Sequence, residues 1–308
     1  MVIGNKMIYL KIIRWQNLIM IILLQYLLRY CMALPILEMQ NLGLLLTDSE
    51  FFILSISCVL IAAGGYVIND IEDVNIDRIN KSEQQIIGRK MDVNTAYNYY
   101  LLLTFSGVSG GLYLTYVKDY SYVFYVNLIS AGLLYFYSTS YKCIPVIGNL
   151  IVGLLSSIVV FMVILNEPFA RNDQSVMLMI GVFMLFSFLT TVLREFIKDI
   201  EDEEGDLSCD CQTLANTLGM NRSKWIAISL TLVVVCLLLT TQIAARQWES
   251  LLPFLYLVAL VDIPLTYVVF LLYKARDKAA FKKAGNWLKM AMFAFITSLI
   301  VYYYNFNL

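Results

Sequence analysis

The residues best suited to chemistry in this 308-residue chain lie in two acidic runs that share one sequence pattern. Both contain the pattern D-I-E-D-x-x-x-D, at positions 70–77 and 199–206. A helix turns about 100° per residue, so the first, fourth and eighth positions of such a run lie within an arc of about 60°. Each run could therefore point three carboxylates in one direction. The six carboxylates belong to Asp70, Asp73, Asp77, Asp199, Asp202 and Asp206.

Six carboxylates gathered in one place would repel one another, and a divalent cation would remove that cost. The chain contains no histidine, which excludes serine–histidine–aspartate catalysis, cysteine–histidine catalysis and histidine-ligated zinc. Hard carboxylate oxygens favour Mg²⁺, which binds proteins through a few carboxylates together with substrate phosphates. The six aspartates therefore predict a site in which Mg²⁺ bridges to a diphosphate. The simpler alternative is a pair of solvated acidic loops.

The elements that must position these aspartates are membrane-spanning helices. Hydrophobic residues make up 60% of the chain, charged residues 15%, and the mean hydropathy is +0.72, which excludes a soluble enzyme, a disordered tail and a secreted disulfide scaffold. The apolar runs are continuous rather than alternating, which favours helices over a β-barrel. Nine spans are expected, at 18–37, 51–68, 97–117, 122–137, 146–165, 176–193, 225–243, 251–273 and 287–304.

The repeated motif follows the second and the sixth span, which indicates two related halves. We therefore expect one all-α integral membrane domain over residues 1–308, with two related four-helix-type halves around a central cavity that opens to the cytoplasmic side. Of the 22 lysines and arginines, only Lys118, Arg171 and Arg246 fall in loops of the opposite side, and Arg29 lies within a span. This asymmetry predicts a multi-pass protein of the cytoplasmic membrane, with its N-terminus and acidic loops cytoplasmic.

A diphosphate held at the cytoplasmic end of such a bundle would leave the rest of its molecule facing an apolar interior. That arrangement suits a polyprenyl diphosphate, from which Mg²⁺ would help to remove the leaving group while a lipophilic acceptor captures the allylic cation. The 21 tyrosines and 17 phenylalanines could supply aromatic faces to that cation. Membrane lipid is the other expected partner. The net charge of −1 gives no support to nucleic-acid binding, and no obligate protein partner is indicated.

At these residues the sequence resembles the UbiA superfamily of intramembrane prenyltransferases, which has nine helices, an N-D-x-x-D-x-x-x-D motif and a second aspartate motif. The run REFIKDIEDEEGD at 194–206 is most similar to the branch that makes digeranylgeranylglyceryl phosphate. The resemblance implies a geranylgeranyl donor and a glyceryl ether phosphate acceptor, with an aromatic quinone precursor as the alternative. It also implies a set of diphosphate-binding and substrate-binding residues, namely Asn17, Asn69, Lys81, Tyr137, Lys142, Asn149, Arg194 and Lys198.

The sequence departs from the family pattern after the second span, where Ser82 replaces a proline and Gln84 and Gln85 replace basic residues. This departure keeps open a non-catalytic, lipid-binding relative. A membrane transporter is a further alternative, supported only by Asp262 and Arg29 inside spans. Arg29 could reach the membrane surface, pair with Asp262 or line the site. A CDP-alcohol phosphotransferase is disfavoured because Val74 occupies the position of that family's glycine.

Overall fold

The computed structural model describes residues 2–80, 83, 85–118, 121–245 and 251–306. These residues are almost entirely helical, and the only β-type pairing among them is an isolated bridge between Ile87 and Met91. The predicted all-α fold is therefore confirmed for the described part of the chain.

The N-terminal half contains seven helices and two short π-helical turns. Helix α4, Asp48–Glu72, begins with a capping box. The Thr47 hydroxyl accepts from the Glu50 N–H, and the Glu50 carboxylate accepts from the Thr47 N–H. The π turns follow α2, at Arg29–Ala33, and α7, at Tyr137–Tyr141. The helices are α1 Val2–Ile12, α2 Trp15–Leu28, α3 Leu34–Glu38, α4 Asp48–Glu72, α5 Val74–Asn80, α6 Val93–Lys118 and α7 Ser121–Phe136.

The C-terminal half is organised around α10, the longest helix at 35 residues. Asp173 caps its N-terminus, because one carboxylate oxygen accepts from the Val176 N–H at 2.8 Å. A third π turn, Val258–Asp262, joins α13 to α14. The helices of this half are α8 Ile147–Phe161, α9 Pro168–Asn172, α10 Gln174–Ser208, α11 Leu214–Leu218, α12 Met220–Ala245, α13 Leu251–Leu257, α14 Ile263–Lys274 and α15 Lys278–Phe306.

Seven helical segments among the described residues are long and apolar enough to cross a membrane: Trp15–Glu38, Asp48–Glu72, Val93–Lys118, Gln174–Ser208, Met220–Ala244, Leu251–Lys274 and Lys278–Asn305. They correspond to seven of the nine expected spans. The remaining two expected spans are the shorter helices α7, with 16 residues, and α8, with 15. A multi-pass membrane protein follows from these helices, while the count of nine spans stays a prediction.

Helix packing places the C-terminal ends of α4 and α10 around one cavity, with α5 in contact with α10. In one half α4 packs against α6 and α7, and in the other α10 packs against α8, α12 and α15. The α4–α6 approach is close: a Cβ on Gly107 would lie 2.9 Å from the backbone oxygen of Ser57. Helix α2 contacts α4, α8 and α15, and so joins the two halves. A large apolar core runs through both halves, and a smaller one lies between α2, α4 and α6.

A buried ion pair joins α2 to the loop before α9. The Arg29 guanidinium donates to Glu167 at 2.9 Å, and the two side chains are 2% and 1% exposed. Glu167 also accepts from the Leu46 N–H at 3.1 Å, and the Arg29 guanidinium lies 4.4 Å from the centre of the Phe51 ring. Arg29 thus ties three chain segments together.

The pairing of Arg29 with Asp262, considered from sequence, is wrong. Asp262 instead accepts from the Gln242 side chain at 3.0 Å, within the turn that precedes Pro264. The physical reason is that Glu167 packs directly against Arg29 and neutralises its charge. Glu167 lies in a loop that the hydrophobic pattern did not single out. Arg29 and Asp262 are also missing from the lining of the two cavities described below. Arg29 and Asp262 each have a partner in the protein and line neither cavity. The two residues therefore no longer support the transporter alternative.

We predict that Glu167→Gln destabilises the protein strongly. Removing one partner of a buried ion pair leaves an uncompensated charge and costs about 3–5 kcal/mol. The unfolding temperature in detergent, followed by intrinsic fluorescence, should fall by many degrees. The matched control is Glu204→Gln, because Glu204 pairs with Lys278 on the surface, where both side chains are largely exposed. That change should leave the unfolding temperature nearly as it was, and equal effects of the two changes would contradict this role of Glu167.

Candidate active site

The two acidic runs meet at one cavity of about 490 Å³. The cavity lies where the C-terminal ends of α4 and α10 come together, with α5 along one side. All six predicted aspartates line it, together with lysines and an arginine that include Lys11, Arg14, Lys90, Lys142 and Lys198. Residues that are far apart in the sequence thus form a single wall of alternating negative and positive charge.

The local structure of the two runs differs. Asp199, Asp202 and Asp206 lie on the uninterrupted α10, as the helical spacing predicted. The first run is divided: Asp70 is in the last turn of α4, and Asp73 caps that helix. Asp77 belongs to the separate helix α5.

The first run is therefore not one uninterrupted helix, although its three aspartates line the same cavity. The backbone hydrogen bonds nevertheless continue across the junction. The Asp73 N–H donates to the Asn69 carbonyl oxygen at 2.9 Å, and the Asp77 N–H donates to the Asp73 carbonyl oxygen at 2.8 Å. At the interruption, Asp73 contacts Lys142, and α5 packs against α10.

A single asparagine connects the two runs. The Asn80 side chain, at the end of α5, donates to the Asp202 carbonyl at 2.9 Å and accepts from the Gly205 N–H at 3.1 Å. The approach requires a glycine, because a Cβ at position 205 would lie 2.2 Å from the Asn80 amide nitrogen. This contact fixes α5 against the second acidic run. It was not predicted, although Asn80 follows Asp77 by one helical turn.

Cations and amides hold the aspartates in place. Arg14 donates to Asp70 at 2.8 Å, and the Lys142 ammonium contacts both oxygens of Asp73. Asn69 donates to Asp73 at 2.7 Å, and Asn149 donates to Asp199 at 2.8 Å. These contacts reduce the repulsion expected among six carboxylates.

Arg14 stays charged in this site. Burial alone would lower the pKa of its guanidinium, but the charge of Asp70 and its hydrogen bond raise that pKa above the ordinary value. The guanidinium also lies 4.8 Å from the centre of the Tyr66 ring. Arg14 is the residue immediately before α2, and its backbone is left-handed, with φ 52° and ψ 52°. Its side chain therefore connects the start of α2 to the first acidic run.

The residues present suit Mg²⁺ together with a diphosphate. Among the residues that the structure describes, no three acidic or cysteine side chains form a ready-made metal site. The carboxylates are instead engaged with the cations and amides of the same wall. The donor set around the cavity is nevertheless composed of carboxylate oxygens, which Mg²⁺ prefers, and Lys11, Lys142 and Lys198 can meet phosphate oxygens.

A second cavity of about 250 Å³ adjoins the first and is mainly apolar. Arg14, Tyr137 and Lys198 line both cavities, and therefore mark the boundary between them. Asn17 lines the apolar cavity and donates to the Tyr66 hydroxyl at 3.1 Å. The pair of cavities can hold a molecule with a charged head among the aspartates and a hydrocarbon body among the helices.

The other predicted residues fall into three groups. Asn69 and Arg194 line the apolar cavity, and Arg194 donates to Glu195 at 2.9 Å. Asn149 lies in neither cavity wall and acts through its hydrogen bond to Asp199. Lys81, with Ser82 and Gln84, lies outside the described residues. Gln85 is buried and donates to the Val74 carbonyl at 2.8 Å, so this departure from the family pattern has a structural contact.

A disulfide between Cys143 and Cys211 was also not predicted. Cys143 directly follows Lys142, and the Cys211 N–H donates to the Asp206 carbonyl at 2.9 Å. The bridge therefore ties the loop that carries Lys142 to the end of the second acidic run. The only sequence signal was that both cysteines lie in polar segments adjoining predicted site residues.

Comparison with known proteins agrees with this geometry. The family model described as the UbiA prenyltransferase family matches residues 12–299. A digeranylgeranylglyceryl phosphate synthase from Saccharolobus solfataricus is 32% identical over 242 residues, covering 79% of this chain and 80% of the relative.

Two solved structures share the fold. A structure of digeranylgeranylglyceryl phosphate synthase is 26% identical with a TM-score of 0.64, covering 97% of this chain and 99% of the other. A UbiA homologue from Archaeoglobus fulgidus, bound to GPP and Mg²⁺, is 15% identical with a TM-score of 0.60, covering 96% of this chain and 99% of the other. The resemblance inferred from the acidic motifs is thus confirmed. The chain belongs to the UbiA prenyltransferase family.

Proposed function

We propose that the protein transfers a geranylgeranyl group from its diphosphate to a glyceryl ether phosphate, with Mg²⁺ as cofactor. The observation that carries this proposal is the convergence of six aspartates from two distant runs on one cavity that adjoins an apolar one. The similarity to digeranylgeranylglyceryl phosphate synthases supports the choice of acceptor. The GPP and Mg²⁺ bound by the Archaeoglobus homologue support the choice of donor and metal.

In the proposed reaction the bond between the prenyl carbon and the diphosphate oxygen breaks, and its electron pair leaves with the diphosphate. The acceptor hydroxyl oxygen forms the new ether bond and releases its proton to a carboxylate of the cavity, to water or to the departing diphosphate. Bound Mg²⁺ would neutralise charge on the departing diphosphate. Lys142 and Arg14 contribute further positive charge at the cavity wall, while the apolar cavity holds the hydrocarbon chain and excludes water from the allylic cation.

The roles of individual residues follow from the same proposal. The six aspartates would hold Mg²⁺, Lys142 would contact the diphosphate, and Lys198, which lines both cavities, would contact a substrate phosphate. Lys81 is assigned to the same group from the family resemblance alone. Asn69 and Asn149 would orient Asp73 and Asp199 through their hydrogen bonds. Tyr137, at the boundary of the two cavities, would lie near the first carbon of the prenyl chain.

The membrane arrangement is also part of the proposal. We expect nine spans in one domain over residues 1–308, with α7 and α8 as the two shorter ones. The excess of lysine and arginine on the side of the aspartates supports a cytoplasmic N-terminus and a cavity that opens to the cytoplasm. Both acidic runs come from one chain, and no obligate protein partner is expected.

We predict that Asp70→Asn and Asp202→Asn each reduce geranylgeranyl transfer at least about a hundredfold, because the loss of one carboxylate weakens both metal binding and charge balance. The assay supplies labelled geranylgeranyl diphosphate, Mg²⁺ and a panel of glyceryl ether phosphate and aromatic acceptors. Excess chelator should abolish turnover by the unmodified protein, and added Mg²⁺ should restore it.

The matched control is Asp210→Asn. Asp210 is exposed, lies just beyond the second run and lines neither cavity. This variant should keep full activity, and all three variants should still fold, as judged by a cooperative unfolding transition in detergent. Retained activity in both cavity variants would refute the proposed metal site. Transfer to aromatic acceptors alone would replace the proposed acceptor.

We also predict that Gly205→Ala separates the two acidic runs. The new methyl group must displace the Asn80 side chain and break its two hydrogen bonds to α10. The kcat/KM for the prenyl diphosphate should fall about tenfold or more. Gly181→Ala on the same helix is the control, because a Cβ there meets nothing within 4 Å and alanine favours a helix. Equal activity of both variants would show that the Asn80 contact is unnecessary.

A further inference from the structure

A cluster of positive charge lies in the wall of the apolar cavity. The charged residues in that wall are four cations, Arg14, Arg194, Lys198 and Lys289, and one carboxylate, Glu195. Every other lining residue is apolar or neutral. From the sequence, Lys289 was counted only among the basic residues of the cytoplasmic side. In the fold it sits on α15, which packs against α10 and α2, the helices that carry or adjoin the other cations.

The cations of this cluster are not all neutralised. Arg14 pairs with Asp70 at 2.8 Å, and Arg194 pairs with Glu195 at 2.9 Å. Lys198 and Lys289 make neither a hydrogen bond nor an ion pair with any residue that the structure describes, although Lys198 interacts with the charges of Glu195 and Asp202. Lys289 is half-buried, and the charges of Arg194, Arg14 and Lys198 repel it more than Glu195 attracts it. Like charges brought together in an apolar wall are unfavourable, and a bound anion would relieve that cost.

This cluster differs from the aspartate-lined cavity in the chemistry that it can bind. The aspartates carry a large negative charge, so a diphosphate can approach them only with divalent cations. Arg194 and Lys289 line only the apolar cavity and have no aspartate of either run beside them in its wall. They can therefore take an anion without a metal. Two substrates in the proposed reaction are anionic, and the donor's diphosphate belongs to the aspartates.

We propose that Arg194, Lys198 and Lys289 bind the phosphate of the acceptor, next to the apolar wall that takes its hydrocarbon chain. A phosphate monoester carries a charge of about −1.5 to −2 near neutral pH, which complements these three cations, of which only Arg194 has an ion-pair partner among the described residues. A neutral alcohol would leave that charge unbalanced, and a carboxylate would balance only part of it. The inference rests on the proposed function, and makes a phosphate on the acceptor a requirement of the site.

The test compares Lys289→Met with Lys283→Met. Both lysines lie on α15, but Lys283 is exposed and lines neither cavity. Loss of the charge at position 289 should raise the KM for geranylgeranylglyceryl phosphate about tenfold or more, as expected for a lost charge-assisted hydrogen bond. The KM for geranylgeranyl diphosphate should stay the same. Lys289→Arg should recover most of the affinity for the acceptor, and Lys283→Met should match the unmodified protein.

Binding without turnover separates this inference from the proposed function. Geranylgeranylglyceryl phosphate and its dephosphorylated alcohol are titrated into the unmodified protein and Lys289→Met, without Mg²⁺ or prenyl diphosphate. The phosphate should bind more tightly than the alcohol, and only the phosphate should lose affinity in the variant. If that pattern holds but no transfer occurs, the proposed function fails and the phosphate site stands. If the variant binds both ligands as the unmodified protein does, or if both KM values rise together, the phosphate site is refuted.

Discussion

The repulsion among six carboxylates around one cavity is the constraint on which the rest of the site depends. Asp70 and Asp73 are balanced by Arg14 and Lys142, and Asp73 and Asp199 each accept from an asparagine. These partners come from α2, from the segment after α7 and from α8, as well as from α4 itself. Charge balance at the site therefore requires both halves of the bundle to be in place. In the proposed function, the same wall accepts Mg²⁺ and a diphosphate when its cations and carboxylates exchange partners.

Rigid connections keep this charged wall in register. The Asn80 contact with α10 and the disulfide between Cys143 and Cys211 both end beside the second acidic run. Away from the cavities, the buried pair of Arg29 and Glu167 joins α2 to the loop before α9. Its two charges satisfy each other and the neighbouring backbone. The charged side chains that could bind a ligand thus lie at the cavities, while the buried charges of Arg29 and Glu167 pair with each other, as expected where a buried unpaired charge is costly.

Much of the site was predictable because its signals are local. Helical spacing placed Asp199, Asp202 and Asp206 together on α10, and apolar runs located the membrane helices. The absence of histidine excluded histidine-based catalysis and histidine-ligated zinc. The roles of Asn80, Gly205 and Lys289 were not predictable, because each depends on a residue of another helix. The interruption at Asp73 was missed for the same reason, since it accompanies contacts with Lys142 and the approach of α5 to α10.

The sequence by itself determined the all-helical membrane fold, the family and the two acidic runs, since hydrophobicity and helical period are properties of neighbouring residues. Only the tertiary structure decided that both runs share one cavity, that Arg29 pairs with Glu167 rather than Asp262, and that Lys289 joins Arg194 and Lys198. Those outcomes depend on how helices rotate and pack against one another. A side chain's charge is readable from the chain, but the partner that balances it is set by packing.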